Sequence, residues 1–256
     1  MILSLFFACK APVEAPTDLN ELLAYIYQHT MDTEEEELLA GLQNLAQFTE
    51  DNRDALIEGY TVTPLTAAAI ETTGTEALYI DEQYGVSLLY EVPYPVEDLV
   101  YCNTIINGSD VYVDDYISYE RTHLSDVNCF LDQTCTTLRF RSTILSSLPM
   151  GAEMLTDYIN ELRWIELDAG TAVIQRSWME GEPETSASWA NMLASYYIGI
   201  TYSTPQGTDT VAASWAALLL GDLPLPEDVT KNQALDALRR NGTDLTNYLN
   251  ENDISN

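Results

Sequence analysis

With 256 residues, 46% hydrophobic and 10% aromatic, the chain can bury a sizeable core, which excludes wholesale disorder and fits one domain plus a helical extension. Forty-one acidic residues against ten basic ones give a net charge of -31, so the surface repels phosphate backbones and excludes nucleic acid as a partner. Two meanings of that excess stay open: solubility alone, or a salty habitat in which a dense carboxylate surface is screened and stays hydrated.

The run Met1 to Ala8, MILSLFFA, is apolar and ends at Cys9. It resembles the end of a bacterial lipoprotein signal peptide, where a small residue precedes a cysteine that becomes lipidated. That resemblance implies lipidation at Cys9, a membrane partner through an N-terminal anchor, and a place in the cell envelope, in the outer membrane or periplasm. Phe6 and Phe7 stand where smaller or aliphatic residues are usual, and no positive charge precedes the run. The other reading is a short apolar N-terminus packed on the core of a cytoplasmic protein. Residues 10–16, with Pro12 and Pro16, read as a short tether.

Three amphipathic helices follow. Leu19, Leu22, Leu23, Ile26 and Tyr27 recur on one helical face, with Thr17 or Asp18 as the cap. Thr33 and Glu36 have the capping-box spacing, and Leu38, Leu39, Leu42, Leu45 and Ala46 form the next stripe. The run Glu34 to Glu37 suits the positive end of a helix dipole better than a metal. Thr63 caps a third helix with Pro64 at its first position, running through Ile70 to a stop at Gly74.

From Tyr84 the apolar period becomes two. Tyr84 to Val92 reads as a strand ending at Pro93-Tyr94-Pro95, and Val96 to Cys102 as a short helix. A turn at Asn107-Gly108 leads into a tyrosine-rich strand from Val111 to Leu124. Further strands are predicted at Thr137 to Leu145, Met154 to Leu167 and Thr171 to Met179. A polar hairpin loop, Glu180 to Ser188, follows, with a helical turn at Trp189 to Leu193. Tyr196 to Ser203 and Val211 to Leu219 then alternate on either side of a turn through Pro205 and Gly207. The tail is a helix capped by Thr230 and Gln233, with Leu235, Leu238, Leu245, Tyr248 and Leu249 at helical spacing. Gly242 weakens it, and Thr243 would cap a second short helix.

Strand, then Val92-Pro93-Tyr94-Pro95-Val96-Glu97-Asp98-Leu99-Val100 opening a helix, then strands carrying Ala172 to Trp178 and Ala213-Ser214-Trp215, then a closing helix: this order resembles the START-like (SRPBCC) helix-grip superfamily over about residues 85–250. The resemblance implies an α+β fold in which a curved antiparallel sheet wraps a C-terminal helix, with a helical segment before it. Residues 1–16 are then the signal-like segment and tether, 17–76 the helical segment, and 77–256 the helix-grip-like domain. Members commonly bind lipids or other apolar molecules and some are enzymes, so fold alone assigns no activity.

The candidate sites are few. Outside the cytoplasm, Cys129 and Cys135 could close a hairpin loop as a disulfide, which leaves Cys102 odd. A zinc site on Cys102, His123, Cys129 and Cys135 lacks a C-x-x-C knuckle and is disfavoured. His29 suits a helix end, and no nucleophile elbow accompanies His123 and Asp126. Arg139, Arg141, Arg163 and Arg176 fall on predicted strands, where they either hold an anionic headgroup in a cavity or pair with carboxylates on the outer face. Outer-face pairs are the ordinary case. The ligand-binding candidates are Arg139, Arg141 and Arg176, with Trp164, Trp178, Tyr196 and Trp215, although such aromatics are more often core. The expectation is an exported, lipid-anchored binding protein, not an enzyme, holding a lipid or other apolar or amphipathic molecule without cofactor or metal. The alternative is a structural or protein-interaction lipoprotein with a filled core.

Overall fold

The computed structural model describes residues 13–113, 116–148, 151–168, 170–219 and 227–252, with the side chains of Glu227 and Asp228 left aside. Two helices come first, α1 (Leu19–His29) and α2 (Glu36–Glu58). A short edge strand β1 (Tyr60–Val62) and the helix α3 (Ala67–Glu71) complete the N-terminal part. The sheet continues with β2 (Gln83–Val92), β3 (Ser118–His123), β4 (Thr137–Ser147) and β5 (Glu153–Leu167). It closes with β6 (Gly170–Met179), β7 (Glu184–Thr185), β8 (Asn191–Thr204) and β9 (Gly207–Leu219). Helices α4 (Val96–Thr104) and α5 (Val127–Leu131) interrupt the strands, and α6 (Glu227–Glu251) ends the chain.

Every pairing is antiparallel, in the order β1-β2-β9-β8-β6-β5-β4-β3, with β7 beside β5. Alternation decides what each face does. The outer face presents Ile174, Trp178, Tyr196, Ile198 and Trp215 to α1, α2 and α3 in one shared apolar core. Tyr27 of α1 lies edge-on to Tyr196 and Trp215, with ring centroids 6.4 and 6.3 Å away. The inner face sets Val86, Leu88 and Ala212 against Leu235 and Leu238 of α6. The result is an α+β helix grip with a helical layer over the back of its sheet.

Several element ends differ from the sequence expectation, each for a local reason. Asp18 caps α1 by accepting from the Asn20 amide at 3.0 Å. Glu35, not Thr33, precedes α2 and makes no side-chain cap. Thr66, not Thr63, caps α3 by accepting from the Ala69 amide at 3.1 Å, so Pro64 lies before the helix. The tyrosine-rich strand shortens to Ser118–His123, because Gly108–Asp110 forms a 3-10 turn and Tyr112 stacks on Tyr119 instead of pairing. No helical turn occupies Trp189 to Leu193; β8 begins at Asn191 and pairs with β9 from its first residue. The tail is one helix, and Gly242 does not divide it.

The arginines show how an acidic chain uses its scarce cations. Arg176, 2% exposed, meets Glu161 through Nε at 2.9 Å and Nη2 at 2.8 Å. Its Nη1 donates to the Tyr27 carbonyl and the Thr72 hydroxyl, both at 2.9 Å. Arg163 donates to the carbonyls of Thr30 and Asp32 and pairs with Glu35 at 2.8 Å. Both therefore tie the helical layer to the sheet. Arg139 and Arg141, about half exposed, pair with Glu161 at 3.8 Å and Glu180 at 2.7 Å. Removing Arg176 takes away both short contacts of buried Glu161 and leaves it only the 3.8 Å approach of Arg139, so Arg176→Ala should cost about 3–5 kcal/mol in urea unfolding. Arg139→Ala should cost no more than about 1 kcal/mol. Equal losses in the two variants would show that burial does not separate these pairs.

Candidate functional site

Between the inner sheet face and α6 lies a cavity of about 320 Å³. Its roof is the α6 face carrying Ala234, Ala237, Leu238 and Asn241. Gly242 lets that helix settle: a Cβ there would stand 2.7 Å from the Tyr90 ring of β2. The floor comes from the inward half of each strand's alternation, including Ser142, Asn160, Gln175, Ser177, Ser195 and Ser214. One end wall is aromatic, built by Tyr112, Tyr116 and Tyr119.

Among the described residues the lining holds six tyrosines and five serines but no Asp, Glu, Lys, Arg or His. Much of its polar capacity is already paired. Asn160 Nδ2 donates to Ser142 Oγ at 2.9 Å, and Gln175 Nε2 to Asn160 Oδ1 at 3.5 Å. The Tyr158 hydroxyl donates to Met192 Sδ at 3.6 Å, and the Tyr112 hydroxyl donates to Asn103 Oδ1 at 3.0 Å. Thr156 Oγ1 is buried and has no hydrogen-bond partner. Burial raises the pKa of Tyr90, Tyr158, Tyr112 and Tyr197, the last two well above the usual phenol value.

None of the seven sequence candidates lines this cavity. Arg176, Trp178, Tyr196 and Trp215 lie on the outer face under the N-terminal helices, away from this cavity. Arg139 and Arg141 point to the outer, exposed side of β4. Trp164 faces inward but packs on Phe130, its indole donating to the Phe130 carbonyl at 3.0 Å. For Arg176, Trp178, Tyr196 and Trp215 the physical reason is that alternation separates two faces without saying which of them the N-terminal helices seal.

Cys129 and Cys135 form a disulfide across the turn from α5 to β4, with Cα atoms 5.2 Å apart. Cys102 is a buried free thiol whose pKa is pushed up to about 12, chiefly by burial. Among the described residues no cluster of His, Cys, Asp and Glu could hold a metal. Cys9 lies outside the described residues. Sequence reasoning also passed over Arg121, which is 3% exposed on the inner side of β3. It donates to the carbonyls of Cys102 and Ile105 at the end of α4 and sits 4.4 Å from the centre of the Tyr119 ring. Arg121 thus supports the aromatic wall from behind. The polar run Ser195, Tyr197, Gly199 and Thr201, on the unclaimed face of a long strand, was the sequence signal for the cavity.

No family model matches this chain, and no curated protein matches it. Solved structures give remote likenesses. The STAR-related lipid transfer protein from Xanthomonas axonopodis has 13% identity and TM-score 0.41, covering 63% of this chain and 85% of that one. Human STARD10 has 12% identity and TM-score 0.42, covering 79% and 80%. The lipid transfer and protein localization domain of human StarD13 has 12% identity and TM-score 0.38, covering 80% and 95%.

The buried tyrosines set the alkaline limit. Their folded pKa values lie above the unfolded value near 10, so the neutral phenol is favoured in the fold. That contribution is complete below about pH 10 and is lost as pH rises toward the folded values. The phenolate absorbance of these tyrosines should therefore appear together with loss of far-ultraviolet circular dichroism. Full ionisation of all tyrosines with the dichroism intact would contradict the burial.

Proposed function

We propose that this protein is a carrier or receptor for an uncharged amphipathic small molecule, held between the inner sheet face and α6, and that it is not an enzyme. One observation carries the proposal: a cavity of about 320 Å³ whose described lining is polar but holds no charged side chain. That volume is at the lower end of ligand pockets, about 300–1,000 Å³. A molecule with polar groups can replace the hydrogen bonds that water makes to such a wall, while an ion would be desolvated there without a partner. Binding rather than catalysis is supported by a lining in which, among the described residues, no carboxylate, histidine, cysteine or lysine stands ready to move a proton. Native mass spectrometry of the protein as purified should show a co-purifying small-molecule mass. Ala237→Phe, which fills the roof, should abolish it while the protein stays folded. A clean apo mass for the wild type, with no gain on incubation with a cell extract, would overturn the proposal.

The address is proposed with it: export to the cell envelope with a lipid on Cys9. The Cys129–Cys135 disulfide supports an oxidising compartment. No described helix is long and apolar enough to cross a membrane, so the anchor would be the lipid itself. Expressed with its upstream region, the wild type should fractionate with membranes and Cys9→Ser should be released. A wild type that is soluble in the cytoplasm would overturn the export reading.

A further inference from the structure

We infer that the ligand is a flat, ring-bearing, uncharged molecule carrying at least two oxygen groups, and not an acyl chain, an inference that rests on the cavity reading above. Three features point the same way. The end wall is aromatic: Tyr112 and Tyr119 stack at 5.8 Å with an interplanar angle of 16°, and Tyr116 meets Tyr119 edge-on at 5.3 Å. A flat ring gains more from such a wall than a flexible chain, because aromatic pairs have preferred geometries and lose little torsional freedom. The floor is a row of amides and hydroxyls on neighbouring strands, with Ser142, Asn160 and Gln175 linked by hydrogen bonds. An alkyl chain lying there would take water from these groups without replacing its bonds, whereas ring oxygens at the rim would replace them.

The third feature is a side pocket of about 20 Å³ beneath α4, room for a single water. It shares Tyr90, Asn103, Gln175 and Tyr197 with the main cavity and adds Thr201. Gly199 belongs to it, and a Cβ there would stand 2.5 Å from the Tyr197 hydroxyl. A pocket of this size, with an amide and hydroxyls around it, suits one oxygen substituent or the water that bridges to it. Acidic ligands are disfavoured on two counts: no cation is in the lining, and the chain carries a net charge of -31.

Four ten-carbon probes separate the alternatives by calorimetric titration of the full chain: a naphthalenediol, naphthalene, decanol and decanoate. The diol should bind about tenfold or more tighter than naphthalene or decanol, with decanoate weakest. Gln175→Leu should weaken the diol about tenfold and change decanol less than about threefold. Ser177→Val serves as the second variant, with the same expectation, and circular dichroism checks that each is folded. Decanol or decanoate binding as tightly as the diol, or both variants leaving the diol unchanged, would overturn the ring assignment while the cavity reading stands. Failure of all four probes, in the wild type as in Ala237→Phe, would overturn both.

Discussion

A single antiparallel sheet has to bury both of its faces here, and each face does so by different physical means. The outer face is dry. Helices α1, α2 and α3 cover it with Leu, Ile and Tyr side chains, and β1 joins the helical segment to the sheet by pairing with β2. The inner face is only partly dry. Apolar contact with α6 is concentrated on β2 and β9, and the remaining strands turn hydroxyls and amides into the space left over. A helix can touch only a stripe of a wide, curved sheet, and the hollow beside that stripe is the cavity.

Charge placement reinforces the division. A chain with ten basic residues places Arg163 and Arg176 between the sheet and the N-terminal helices, where each meets a carboxylate and backbone carbonyls. Taking those ions from water is costly, and close contacts with carboxylate and carbonyl oxygens offset the cost, with Nε of Arg163 left buried without a hydrogen-bond partner. Their partners are fixed positions on α1 and on the α1–α2 connection, so the pairs define how the helical layer docks. Arg121 instead satisfies carbonyls at the end of α4 and lies against aromatic rings. Among the described residues the cavity lining carries no charged side chain.

The tyrosines link packing to chemistry. Their rings supply apolar area, and their hydroxyls keep hydrogen bonds available at depth. Tyr90 packs against Gly242 of the roof, so its ring limits how closely the helix approaches the sheet. Small residues on α6, Ala234 and Ala237, keep the roof from filling the space beneath it.

Local pattern in the sequence determined the element types and their order. The switch from helical spacing to alternation near Tyr84, the Pro93-Tyr94-Pro95 break and the amphipathic tail each act over a few residues and hold in the fold. The faces were legible too: Ala172, Ile174, Arg176 and Trp178 do share one side of β6, with Val173, Gln175 and Ser177 on the other. Tertiary structure alone decided which face is which. A period of two says that residues lie on opposite sides, but it carries no information about which helix covers each side. Arg176 and Trp178 were ligand candidates because alternation sets a cation and an indole on one face of a predicted strand, while Gln175 and Ser177, on the other face, line the cavity. Docking of α1 on one side and α6 on the other reversed those roles, because the long-range contacts of Tyr27 with Trp215 and of Gly242 with Tyr90 set the boundaries of the hollow.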